Sequence, residues 1–262
     1  MSTMIQKNPG ADFKEVGLGR KLPAGDKCLA WFEFGVSERL SIRNHAQAGS
    51  RGHLIPGVTV GAASISAGAF ITELANDYTA GDATIVLFCT PSTTGSAFQI
   101  QLKAGGVTYS NDATNESTPL RYSTGIFQRV NSAGTAPHDF LGQFGTYDST
   151  TPAAGGTNNS LSKLNAVVEA MCVTQEVVAA TRVQTLSFRN GATYVSNSPS
   201  TNTAAVNHIR DTRTTIPFQI DVDGGGLVHS FLVFAGLLTV IEKNAIYALE
   251  KARLTALGVT AL

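Results

Sequence analysis

Three tyrosines lie among polar residues: Tyr109 with Asn111 close behind it, Tyr122 directly after Arg121, and Tyr147 directly before Asp148. An aromatic ring offers its π-face to the apolar face of a pyranose, while amide, carboxylate and guanidinium groups bond the hydroxyls around it. These six residues form the candidate carbohydrate-binding set. The same tyrosines also suit a protein contact, because exposed aromatics mark interfaces. Trp31 and Phe34, by contrast, sit in a stretch of core type and read as packing residues.

Other groupings that could do chemistry are weaker. Glycoside hydrolysis needs two carboxylates about 5–9 Å apart across the scissile bond. Here Glu33, Glu38, Glu73, Glu116, Glu169, Glu176, Glu242 and Glu250 are scattered singly. Asp221-Val-Asp223-Gly opens like a calcium loop, but its twelfth position is Leu232 instead of a bidentate Glu. A loose calcium site and an ordinary acidic turn both stay open, and no metal or cofactor is assigned. His45 and His53 share a polar stretch without metal-ligand spacing. His208, before Ile-Arg210-Asp211, reads as part of a surface hydrogen-bond cluster. The nucleophile elbow, the P-loop and the dinucleotide fingerprint are all missing from the sequence. The expectation is a protein that is not an enzyme.

The elements that must position these residues are mostly strands. Thr84–Cys89 (TIVLFC) is apolar throughout and predicts a central strand buried on both faces, whereas FQIQL at 98–102 alternates and predicts a half-exposed one. Further β stretches are expected at 28–34, 58–60, 69–74, 120–130, 167–173, 216–222 and 228–234. Asn190-Gly191, inside RVQTLSFRNGATYVSN, predicts a two-residue hairpin turn. Residues 131–160 read as a long loop anchored by Phe140, Leu141 and Phe144. One helix follows the last strand: Thr239 and Glu242 form a capping box, Gly258 supplies the stop, and Ile241, Ala245, Ala248, Leu249 and Ala252 recur at helical spacing.

Composition narrows the class. Of 262 residues 43% are hydrophobic, enough for a large core, yet only 15% are charged, so Ser, Thr, Asn and Gln must supply the polar surface. The 19 basic and 19 acidic residues cancel, and no Lys/Arg cluster offers the counterion release that nucleic-acid binding requires. No stretch approaches the ~20 apolar residues of a membrane-spanning helix. Cys28, Cys89 and Cys172 sit far apart in apolar runs and read as buried free thiols. The first 27 residues, broken by Pro9, Gly10, Gly17, Gly19 and Pro23, lack the apolar region of a signal peptide and read as an arm before a single domain at 28–262.

Three segments, in order, resemble the concanavalin A-like lectin/glucanase superfamily, in particular its laminin G-like branch. They are CLAWFEF running into SIRNHAQAG, the hairpin LSFRNGATYVS with Leu186, Phe188, Asn190 and Gly191, and FLVFAGLLTVIEKNAIYAL with Leu238, Thr239 and Glu242. The resemblance implies an all-β fold: a two-sheet antiparallel jelly-roll sandwich with one short C-terminal helix. The chain departs from the pattern in its leader, in residues 131–160, and in Asp221-Val-Asp223 where a small Gly-rich loop is usual. The Glu-x-Asp-x-Glu triplet of the superfamily's retaining glucanases is missing. RYSTGIFQ at 121–128 only faintly resembles the alginate-lyase strand, and Gln101 stands where that family has its histidine base.

The absent signal peptide, low charge and Ser/Thr/Gly/Ala richness also resemble bacteriophage virion proteins. The resulting expectation is a non-enzymatic virion component made in the host cytoplasm, in a tail fibre, baseplate or capsid surface. It would contact other virion proteins through residues 1–27 and form a homo-oligomer such as a trimer. The alternative is a module whose main task is to bind host surface glycan, and the third reading is a polysaccharide hydrolase or lyase. Neither nucleic-acid binding nor membrane insertion is expected.

Overall fold

The computed structural model describes residues 22–46, 50–75, 81–91, 98–104, 106–107, 124–130, 138–147, 154–163, 170–178, 183–190, 193–196, 200–201, 215–222 and 225–259. In chain order the elements are β1 (Cys28–Glu33), α1 (Glu38–Ser41), β2 (Gly52–Leu54), β3 (Thr59–Val60), β4 (Ile65–Ser66), β5 (Gly68–Ala75) and β6 (Ala83–Thr90). Then come β7 (Phe98–Ala104), β8 (Gly106–Val107), β9 (Thr124–Val130), β10 (His138–Tyr147), β11 (Ala154–Lys163) and β12 (Met171–Val178). The last are β13 (Val183–Asn190), β14 (Thr193–Ser196), β15 (Ser200–Thr201), β16 (Thr215–Val222), β17 (Leu227–Ala235) and α2 (Val240–Ala256). They form a nine-stranded sheet, β14-β13-β12-β6-β17-β4-β3 with β1 on β17 and β15 on β13, and an eight-stranded sheet, β11-β10-β9-β7-β16-β5-β2 with β8 on β16. The strand pairings are antiparallel. The expected all-β sandwich with one C-terminal helix is the fold observed.

Alternation along the central strands builds two cores from one sheet. Ile85, Leu87 and Cys89 of β6, with Phe231 and Val233 of β17, face the other sheet and meet its Phe70, Ile100, Phe218, Ile220 and Val222. Val86, Phe88, Leu232 and Phe234 point the opposite way, where Trp31 and Cys172 join them beneath Ile246, Tyr247 and Leu254 of α2. Thr84–Cys89 is therefore buried on both faces for a specific reason: a sheet covers one side and a helix the other. Cys28, Cys89 and Cys172 are buried free thiols, and burial pushes Cys28 and Cys172 up to about 12.

The two cores meet at a bulge. Val228 pairs with Cys89 and Ser230 with Phe88, so His229 is an extra residue in β17. Unbroken alternation through His229 would carry Phe231 to the helix side; because His229 is bulged, Val228 and Phe231 both face the inter-sheet core. The His229 ring bridges the Ala63 carbonyl (2.7 Å) and Thr90 Oγ1 (2.8 Å), and burial lowers its pKa, which favours the neutral ring. Ser230 then lies under α2, where its hydroxyl bonds Glu250.

Helix α2 starts and stops as the sequence predicts. Glu242 N–H donates to Thr239 Oγ1 (3.2 Å) and Thr239 N–H to Glu242 Oε2 (2.7 Å), while Gly258, at φ +84°, ends the helix. Its buried face does not follow the expected apolar stripe. Ile246, Tyr247, Glu250 and Leu254 are buried, whereas Ile241, Ala245, Ala248 and Ala252 are exposed. Hydrophobic spacing could not find a face that contains a glutamate, and alanine carries too little apolar area to decide one.

Two further expectations are corrected. Residues 131–160 are not a long loop: β10 and β11 make ten consecutive pairs from His138↔Lys163 to Tyr147↔Ala154, and β10 also pairs with β9. Gly, Ser, Thr and Asn weaken intrinsic strand propensity there, but tertiary pairing overrides it. In the β13–β14 hairpin, Asn190 pairs with Thr193, so the two connecting residues are 191–192, one later than expected. Residues 22–27 of the leader lie against the domain. Leu22 and Ala24 join the helix-side cluster, and Ala235 N–H donates to the Lys27 carbonyl at 2.8 Å.

Val36 occupies the left-handed region at φ +64° although it is β-branched and 53% exposed. Its N–H donates to the Gly61 (3.0 Å) and Ala62 (3.1 Å) carbonyls, which hold the loop in place. Left-handed backbone costs an L-residue about 1–2 kcal/mol. Val36→Gly is expected to raise the unfolding free energy by about 0.5–1 kcal/mol, net of the glycine's extra chain entropy. An unchanged or lower urea midpoint would count against strain at this position.

Candidate functional site

The two outer faces of the sandwich differ. Helix α2 packs on the nine-stranded sheet over a polar cluster centred on Glu250, while the buried Tyr247 hydroxyl beside it has no hydrogen-bond partner. Glu250, fully buried, accepts from Trp31 Nε1 (3.1 Å), Arg253 Nε (2.9 Å) and the Ser230 hydroxyl. Arg253 also donates to the His229 carbonyl (2.9 Å) and Ser230 Oγ (2.7 Å), and its Nε lies 3.8 Å from Glu33. Arg189 lies 3.8 Å over the Tyr247 ring and donates to Asn244 Oδ1, and Lys243 pairs with Glu176 at 3.0 Å. This side is a joint between helix and sheet.

The outer face of the eight-stranded sheet carries no helix among the described residues. In β16, Phe218, Ile220 and Val222 point inward, so the half-buried Gln219 and Asp221 lie on the outer face. Gln219 donates to the Asp221 carboxylate. In β5 and β2 the outward positions are Ile71 and Glu73, and Arg51 and His53. Glu73 accepts from the Arg51 N–H (3.0 Å) and faces His53 Nε2 (3.0 Å). The Arg51 backbone bond first, and then the His53 contact, hold the Glu73 carboxyl below its ordinary value.

Backbone pairing continues the row from strand to strand across the sheet. His53 pairs with Ile71, Ile71 with Gln219, Gln219 with Lys103, Lys103 with Gly125, Gly125 with Gln143 and Gln143 with Asn158. At about 4.8 Å per strand that row is roughly 29 Å long. A parallel row runs Ala69, Asp221, Gln101, Phe127, Leu141, Ser160. The Gln219 amide and the Asp221 and Glu73 carboxylates are suited to bonding hydroxyl groups. The two outward carboxylates do not make a hydrolytic pair. Asp221 sits beside Ala69, four residues or about 13 Å along β5 from Glu73, beyond the 5–9.5 Å that glycosidases use.

Among the sequence-predicted site residues, Tyr147 is the last residue of β10, paired with Ala154. Tyr109, Asn111, Arg121, Tyr122 and Asp148 lie outside the described residues, as does Asp223. The first residue of β9, Thr124, pairs with Phe144, so the strand ends adjoining Tyr122 and Tyr147 are neighbours. Asp221 stands inside a strand, not in a turn, and no group of three or more His, Cys, Asp or Glu suited to a metal occurs among the described residues. Sequence reasoning missed Gln219, Asp221, His53 and Glu73. The polar alternation in IPFQIDV was the signal for the first two.

No protein-family model and no curated protein matches the sequence. Solved structures do resemble it. A mutant of Trypanosoma rangeli sialidase displaying trans-sialidase activity superposes with a TM-score of 0.51 at 10% identity, over 84% of this chain and 32% of that one. The VIP36 exoplasmic/lumenal domain in a Ca2+/Man2-bound form gives 0.47 at 8%, covering 82% and 92%. The legume lectin-like domain from Entamoeba histolytica gives 0.42 at 8%, covering 70% and 86%. At such identity the sialidase likeness is one of fold, and that fold is the two-sheet antiparallel β-sandwich built above.

Proposed function

We propose that this chain is a non-enzymatic carbohydrate-binding module, using the outer face of the eight-stranded sheet, and that its setting is a phage virion, where it attaches to host surface glycan. The open polar face carries the reading. One sheet is closed by α2, while the other presents Gln219, Asp221, His53 and Glu73 in register with Lys103, Gln143 and Asn158. The scattered carboxylates support binding over hydrolysis. Low charge and Ser/Thr/Gly/Ala richness support the virion setting.

The test is a glycan array probed with the full chain, followed by calorimetry with the polysaccharide that binds best. Gln219→Ala and Asp221→Ala are each expected to weaken binding tenfold or more, about 1.4 kcal/mol. Ala252→Ser, on the exposed side of α2, should leave it unchanged. Absence of binding, or binding indifferent to both sheet-face variants, would overturn the reading. Release of shortened sugar products would replace it with an enzymatic one.

A further inference from the structure

Five large hydrophobic residues are exposed among the described residues, and three of them fall within five consecutive positions: Leu237 (39%), Val240 (64%) and Ile241 (81%). Single exposed aliphatics are ordinary, but three grouped at the entry to a helix are not. Val and Ile are also poor choices for an exposed first turn, because they restrict χ1 in a helix and here bury nothing in return. The capping box does not need them, since it is made by Thr239 and Glu242 alone.

The start of the described chain lies at this same turn. Lys27 Nζ bonds Glu242 Oε1 at 2.7 Å, one residue from Ile241. Leu22, Pro23, Ala24, Gly25 and Asp26 line a cavity of about 730 Å³ together with Glu242. The 21 residues before Leu22 carry Met4, Ile5, Phe13, Val16 and Leu18 among polar neighbours. Six extended residues reach about 20 Å, more than enough to cross one helix turn from this root. A tether this short gives the segment an effective concentration in the millimolar range at its own patch, far above that of a neighbouring copy in dilute solution.

We propose that the apolar entry to α2 (Leu237 before the N-cap, with Val240 and Ile241 in the first turn) is the docking surface for residues 1–21 of the same chain. In the free protein that segment then covers the domain and is not available to reach a neighbour. The experiment is limited trypsin digestion of the full chain, with mass spectrometry timing cleavage after Lys14, Arg20 and Lys21, beside a sedimentation mass. Ile241→Asp should speed those cuts tenfold or more with the monomer mass unchanged; an acidic residue in a first turn suits the helix dipole, so the fold is kept. Val240→Ser should act in the same direction, and Ala252→Ser should have no effect. Equal cleavage in all four proteins overturns the proposal. So does a wild-type oligomer that Ile241→Asp converts to monomer, which would assign the surface to a second copy.

Discussion

Glu250→Ala is expected to lower the unfolding free energy by about 3–5 kcal/mol, the range for breaking a buried charge pair from one side. The carboxylate is fully buried and accepts from Trp31, Ser230 and Arg253, which come from β1, β17 and α2 itself. Removing it leaves the Trp31 N–H without its acceptor and Arg253 with a distant Glu33 at 3.8 Å. Arg253 also holds the carbonyl of the bulged His229, so the loss reaches the register of the central strand. Glu250→Gln should cost less, because an amide oxygen can still accept from Trp31 but cannot neutralise Arg253. Urea unfolding at neutral pH, followed by Trp31 fluorescence, measures both. A loss below about 1 kcal/mol in the alanine variant would mean that the cluster is a bystander to packing.

How much of this was legible depended on whether the signal was local. The ends of α2 were readable because capping chemistry is confined to Thr239, Glu242 and Gly258. Thr84–Cys89 was readable because a doubly covered strand must be apolar at every position. The bulge at His229 was not, since one extra residue in Val-His-Ser-Phe leaves no mark until the register of β6 is known. The buried face of α2 was misread for a related reason: beside the local Arg253, two of the donors that make a buried Glu250 tolerable come from residues 20 and 219 positions away. The β10–β11 hairpin was misread because AGGTNNSLSK carries almost no apolar pattern, and its strand character comes from partners.

The candidate site shows the same division. The tyrosine set was chosen by residue type, whereas the row from His53 to Asn158 exists only through six strand pairings. Gln219 and Asp221 were half legible: their alternation with Phe218 and Ile220 marks an outer face, but nothing in the sequence says that α2 lies over the other sheet and not over this one.

Phe70→Ala is expected to cost a further about 3–5 kcal/mol in its own right, and its neighbour Gly52 makes the prediction sharper. The Phe70 ring is fully buried and meets Phe32 edge-on at 4.9 Å and Phe34 at 4.8 Å. It also occupies the space a Cβ at Gly52 would need: such an atom would lie 2.1 Å from Phe70 Cζ and 2.2 Å from Cε2. Gly52→Ala should therefore cost about 1–3 kcal/mol as the ring is driven from its contacts. Adding Phe70→Leu, which withdraws the ring, should recover part of that loss, giving a coupling energy above about 0.5 kcal/mol in a double-mutant cycle. Strict additivity would mean that β2 can move away without disturbing the core. The cycle also bears on binding. Gly52 pairs with Thr72 one position from His53↔Ile71, so displacing β2 moves His53 and Glu73 on the outer face. If that face holds the glycan, Gly52→Ala weakens binding together with stability, and the double variant restores both.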